Sequence, residues 1–174
     1  RLAEDRPPPL PGGVDGVYFG RGALPPGWAW ASSGAGLTIT SLDRRAQEDA
    51  RRFRWTGDKQ ARAYIRTVAP IDISRETTGE LSLLIDYRVD ERPNSAVTLA
   101  VDTAQVPIGG ILRSAPLGEW RTLTVPLRCF ARAGLDAKKV AVPASIGTGG
   151  TLQLSISDVR VASAMVAQDS CGQD

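Results

Sequence analysis

The sequence predicts an all-β protein, an antiparallel sandwich or barrel, on three observations. Apolar residues recur at every second position in segment after segment, each segment is bounded by turn residues, and the 3.6-residue period of a helix is almost absent. The 18 glycines and 12 prolines among 174 residues suit a chain that turns often.

Residues 1–36 read as a connector. Pro7-Pro8-Pro9-Leu10-Pro11 favours an extended polyproline segment and Gly12-Gly13 ends it. Gly20 to Gly36 is a second irregular stretch, holding Trp28 and Trp30. Alternation then starts at Leu37 and Ile39 and defines a domain over 37–163. It continues through Arg51-Phe53-Trp55 and Ala61-Ala63-Ile65. The series Leu81, Leu83, Ile85, Tyr87 and Val89 gives one apolar face, with Ser82, Asp86 and Arg88 opposite. Val97-Leu99-Val101, Leu123-Val125-Leu127, Val140-Val142 and Leu152-Leu154-Ile156 complete about eight strands. The inward positions then shift to Val159 and Val161, a change of parity that requires a bulge at Ser157-Asp158. Gly134 to Lys139 reads as one helical turn, Asp43 to Arg52 fits either period, and Gly147-Thr148-Gly149-Gly150 reads as a hairpin turn. Residues 164–174 form a polar tail.

Several chemistries are excluded by composition. The chain has no histidine, so Ser-His and Cys-His catalysis and His-ligated metals are ruled out. The charges nearly balance, 21 basic against 19 acidic, and all the basic residues but Lys59, Lys138 and Lys139 are arginines. These arginines are scattered among acids along the chain, not gathered in a stripe, so nucleic acid is not the expected partner. No apolar run reaches the ~18–20 residues of a membrane span. A chain that opens on Arg1 and has Met165 as its one methionine reads as either a processed product or an excised piece of a longer protein.

Five strings, in order, resemble one family. They are Leu42-Asp43-Arg44-Arg45-Ala46-Gln47-Glu48-Asp49-Ala50-Arg51-Arg52-Phe53-Arg54-Trp55, Pro70-Ile71-Asp72-Ile73-Ser74-Arg75-Glu76-Thr77, Asp86-Tyr87-Arg88-Val89-Asp90, Gly118-Glu119-Trp120-Arg121-Thr122-Leu123-Thr124-Val125-Pro126-Leu127-Arg128-Cys129-Phe130 and Leu154-Ser155-Ile156-Ser157-Asp158-Val159-Arg160-Val161. Together they are similar to the C-terminal galactose-binding-like domain of bacterial family 3 glycoside hydrolases, the exo-1,3/1,4-β-glucanases and β-glucosidases. The resemblance implies a β-sandwich of jelly-roll type and a non-catalytic accessory role beside catalytic domains that act on β-glucans or cello-oligosaccharides. It also implies a periplasmic or secreted parent. Relatives often carry a second cysteine pair after the strand equivalent to Val97–Val101, where this chain reads Asp102-Thr103-Ala104-Gln105-Val106-Pro107, without cysteine.

Trp28, Trp30 and Trp55 are the candidate carbohydrate-binding residues, because a flat indole packs against the C–H face of a sugar ring. Trp120 is expected to cover the end of the core. A purely structural domain, docked on the catalytic domains through the same tryptophans, is the alternative. Asp86, Asp90, Glu76, Glu80 and Glu119 are the available carboxylates, but nothing pairs them as a glycosidase requires, and Asp86 should point to solvent. Cys129 and Cys171 either bridge or remain thiols, and the implied oxidising compartment favours the bridge. A structural Ca²⁺ is the one ion considered. Asp158 at the bulge is its single candidate ligand where six to eight oxygens are needed, against a plain turn-capping role.

Overall fold

A computed structural model describes residues 24, 25, 27–164 and 171–174. The polyproline segment of the expected connector lies outside them. Among the described residues, ten strands form two antiparallel five-stranded sheets. In chain order they are β1 (Ala29–Ser33), β2 (Leu37–Leu42), β3 (Ala50–Thr56), β4 (Ala61–Arg66), β5 (Ser82–Glu91), β6 (Val97–Val101), β7 (Ala104–Pro107), β8 (Trp120–Pro126), β9 (Ser145–Thr148) and β10 (Thr151–Ala162). Short helices α1 (Ser74–Thr78), α2 (Gly109–Ser114) and α3 (Leu127–Arg132) lie between them. The first sheet runs β1-β4-β9-β6-β7 and the second β2-β3-β10-β5-β8.

The alternating apolar positions meet between the sheets. Phe53, Ile65, Leu83, Val89, Leu99 and Leu152 are fully buried there. The parity change in β10 is the expected bulge: its register with β5 slips between Ile156 and Val159, so both Val159 and Val161 return to the core.

Other expectations change. Strand β1 pairs with β4 through Ala29↔Arg66 to Ser33↔Arg62, so the sandwich includes residues first assigned to the connector. Leu127 and Cys129 belong to α3, because Pro126 ends the β8 ladder and the chain turns helical immediately after it. Val140 and Val142 form no strand. The Asp102 carboxylate accepts the N–H groups of Ala141 and Val142 at 3.0 and 2.7 Å, taking donors that a ladder would use. The glycines after Thr148 join β9 of one sheet to β10 of the other, so the connection crosses between sheets and closes no hairpin. Gly150 is required there, since a Cβ would strike Asn94, whose side-chain oxygen accepts the Thr151 N–H at 2.8 Å.

Cys129 and Cys171 form a disulfide. The tail beyond it pairs with the chain after β7: Gln173 N–H donates to Pro107 O at 2.7 Å and Gly110 N–H to Gln173 O at 2.9 Å. Gly110 lacks the Cβ that would otherwise block Asp174.

Candidate carbohydrate-binding surfaces

Two surfaces carry the polar and aromatic side chains of interest. The first is a cleft of about 450 Å³ between the edge strands of the two sheets, β1 and β2. Trp28, Trp30, Ile39 and Ile156 line it, with Glu48, Asp49 and Arg51 also on its wall. Trp28 is placed by a turn in which its N–H donates to Pro25 O at 2.9 Å, with Gly27 in the left-handed region. Trp30 sits on β1 and packs edge-on against Phe53, with the ring centroids 4.8 Å apart. Both indoles are half-buried. The loop 43–49 shapes the other wall, and Asp49 organises it by accepting the N–H groups of Arg44, Arg45 and Ala46 at 2.7–3.0 Å. Those bonds, the one from Arg44 foremost, hold the Asp49 carboxyl below its ordinary pKa.

Trp55 does not join this cleft. It is 1% exposed, its ring stacks on Phe53, and its Nε1–H donates to Ala61 O at 3.1 Å. A ring enclosed in the core has no face for a sugar, so Trp55 is a core residue. Its place was legible, since it shares parity with Phe53.

The second surface is the outer face of the second sheet. Cross-strand register aligns Thr40, Arg52, Ser155, Arg88 and Trp120 in one row over all five strands. Trp120 faces outward with Thr122, because Leu123 and Val125 take the inward positions. It therefore covers no core end. Instead the guanidinium of Arg44 lies 4.2 Å and that of Arg88 5.3 Å from its ring centroid. Arg88 Nε donates to Asp90 Oδ1 at 2.6 Å, and Ser155 Oγ donates to Asp90 Oδ2 at 2.6 Å. Arg44 Nη1 donates to Ser157 Oγ at 2.7 Å.

Asp86 points outward as its parity requires, yet it is 8% exposed. Thr122 Oγ1 donates to it at 2.7 Å, and Arg160 Nη1 and Arg44 Nη1 lie 3.1 and 3.7 Å from its Oδ2. Burial pushes its pKa up, but the Thr122 hydroxyl, the Arg160 charge and a hydrogen bond with Asp158 outweigh this and hold it below 3.8. A carboxyl kept ionised in this way is an anchor for arginines and a poor proton donor. Asp158 is buried at the bulge beside Asp86, in a setting where guanidinium groups supply the positive charge. Among the described residues no group of three or more potential ligands gathers around it for an ion. The sequence reading missed this array, although the outward parity of Arg52, Asp86, Arg88, Trp120 and Ser155 was its signal.

The galactose-binding domain-like family matches residues 26–161, and the chain belongs to that family. In fold it is similar to the exo-1,3/1,4-β-glucanase of a Pseudoalteromonas species (TM-score 0.66, 19% identity), over 91% of this chain and 21% of that one. This chain thus spans about a fifth of the glucanase's length. The extra C-terminal domain of that enzyme, solved alone, gives a TM-score of 0.63 at 18% identity, covering 89% of this chain and 95% of the domain. A family 11 carbohydrate-binding module from Clostridium thermocellum, in complex with a β-1,3-1,4-mixed-linked tetrasaccharide, gives 0.54 at 9% identity, covering 82% and 92%. A search of curated proteins finds no match.

Proposed function

We propose that this chain is a non-catalytic accessory domain of a family 3 glycoside hydrolase, a β-glucosidase or exo-β-glucanase, and that it holds β-glucan or cello-oligosaccharides in the Trp28–Trp30 cleft. The observation that carries this reading is the cleft itself: two half-buried indoles form its apolar wall, and Glu48, Asp49 and Arg51 provide hydrogen-bonding groups. The similarity to a glucanase's extra C-terminal domain and to a glucan-binding module supports it. The Cys129–Cys171 bridge supports a periplasmic or secreted parent, because disulfides persist in oxidising compartments. No helix among the described residues is long and apolar enough to cross a membrane. Calorimetric titration with laminari- and cello-oligosaccharides at millimolar concentration tests the reading. Saturable heat that is lost in Trp28→Ala, at an unchanged melting temperature, is the expected result. Silence across both series overturns it.

One observation favours the alternative of a docking domain without a sugar site. Val68 is 74% exposed beside Gly27, which extends apolar surface outward from Trp28. That reading predicts no heat with any glucan, together with Trp28-dependent association with the catalytic domains of the parent polypeptide.

A further inference from the structure

The outer face of the second sheet is separate from the cleft, and its chemistry is different. It carries Arg44, Arg52, Arg54, Arg88 and Arg160 against Asp86, Asp90 and Asp158. The acids lie low: the side chains of Asp86 and Asp90 are 12% and 13% exposed, and arginines, Ser155 or Thr122 occupy their oxygens. The side chains of Arg44, Arg88 and Arg160 are scarcely more open, at 15%, 20% and 17%, so Arg52 and Arg54 are the two that offer charge to solvent. Arg52 is 41% exposed in its side chain, and its Nε, 3.5 Å from Asp90, lacks a hydrogen bond. Arg54 is exposed one step further along β3 and forms no ion pair with any described residue. Two residues of strand separate the pair, about 6.7 Å. Thr38 and Thr40 lie beside them on β2 and Gln153 and Ser155 on β10. Trp120 holds Arg44 and Arg88 at the other end of the row, three strand spacings or about 14 Å from Arg52. Such a face presents donors and positive charge while its own acceptors are already used.

We propose that this face binds an acidic oligosaccharide, a chain of uronic acid residues lying along β3, with its carboxylates on Arg52 and Arg54. Charge complementarity selects the occupant, since a planar carboxylate accepts two parallel N–H bonds from a guanidinium fork. The Thr40 hydroxyl and the Gln153 amide, beside Arg52 and Arg54 and open to solvent, suit sugar hydroxyls. The choice of a glycan over another polyanion rests on the carbohydrate-binding reading above, but the site and its residues are independent of the cleft.

The test titrates the whole chain with an oligogalacturonate pentasaccharide, its fully methyl-esterified form, a sulfated galactan oligosaccharide and laminaripentaose. The acid form should bind saturably and weaken as salt is raised. Esterification, or Arg52→Gln with Arg54→Gln, should each weaken it at least about tenfold, the loss of a hydrogen bond to a charged partner. Trp28→Ala should leave it unchanged. Asp90 retains Arg88 and Ser155 in the double variant, so its melting temperature should stay near that of the parent. No binding of the acid form, equal binding of the ester, or full binding by a folded double variant would each overturn the proposal. Tighter binding of the sulfated chain would also overturn it, by showing a general polyanion surface. Loss of laminaripentaose binding alone would fall on the cleft, not on this face.

Discussion

The guanidinium of Arg44 lies 4.2 Å from the centroid of the Trp120 ring, although one residue follows β2 at one edge of the second sheet and the other begins β8 at the opposite edge. Arg44 reaches this position across β10 and β5, bonding Ser157 on the way and passing 3.7 Å from Asp86. The loop 43–49 is thus tied to the far side of the sheet by one side chain. A cation over an indole is worth about 0.5–2 kcal/mol, depending on how far it is desolvated. A double-mutant cycle of Arg44→Ala and Trp120→Ala should give a coupling energy in that range. Additive effects in denaturant unfolding would show that the contact contributes nothing.

Loss of the disulfide acts through the unfolded chain. Cys129 and Cys171 are 42 residues apart, and closing a loop of that length stabilises by about 4 kcal/mol in the chain-entropy model. Cys171→Ser should lower the midpoint of denaturant unfolding by a corresponding amount. Reducing agent should do the same to the parent protein and leave the variant unaffected.

Trp55 and Trp28 should separate cleanly. Trp55→Ala empties a fully enclosed site and should cost about 3–5 kcal/mol. Trp55→Phe keeps much of the volume but leaves Ala61 O without its donor, at about 1–3 kcal/mol. Thermal unfolding measures both, and a folded Trp55→Phe protein should bind any ligand of the cleft as the parent does.

The acid limb of stability should carry the signature of Asp86. Its folded pKa is depressed below 3.8, so the stability it contributes is fully present above that value and is lost as pH falls through the lower folded pKa. Unfolding free energy measured from pH 5 downward should therefore fall less steeply in Asp86→Asn than in the parent. The variant should also be less stable near neutrality, because Arg160 and Arg44 lose their anion.

Parity made most of the architecture legible. It located the bulge after Ile156, the inward rings of Phe53 and Trp55, and the outward set that includes Asp86 and Arg88. It was misleading where apolar spacing runs past a strand end: Leu127 continues the series of Leu123 and Val125 but starts a helix. It also failed at Val140 and Val142, where Val140 makes a single isolated bridge to Ile71 and the Val142 N–H goes to the Asp102 carboxylate from a distant turn. The contacts of Trp120 were hidden for a related reason. Its outward direction is local information, but which arginines cover it depends on the order of strands in the sheet and on the reach of a loop. The cleft was half legible, since Trp28 and Trp30 stand out in sequence while Ile39 and Ile156 join them only through tertiary packing.

The positions of β9 and β10 have a kinetic consequence. These are the last two strands among the described residues, yet β9 is the middle strand of the first sheet and β10 the middle strand of the second. Before they emerge, β4 has no neighbour to join it to β6, and β3 has none to join it to β5. During synthesis from the N-terminus the chain can therefore form only separate edge pairs, such as β2 with β3 or β6 with β7. Both sheets close when a single late segment inserts into two gaps at once, and loop-closure entropy makes such long-range pairing slow. Folding of this domain is an event that waits until β9 and β10 have left the ribosome, and the half-built sheets are the species a chaperone would meet.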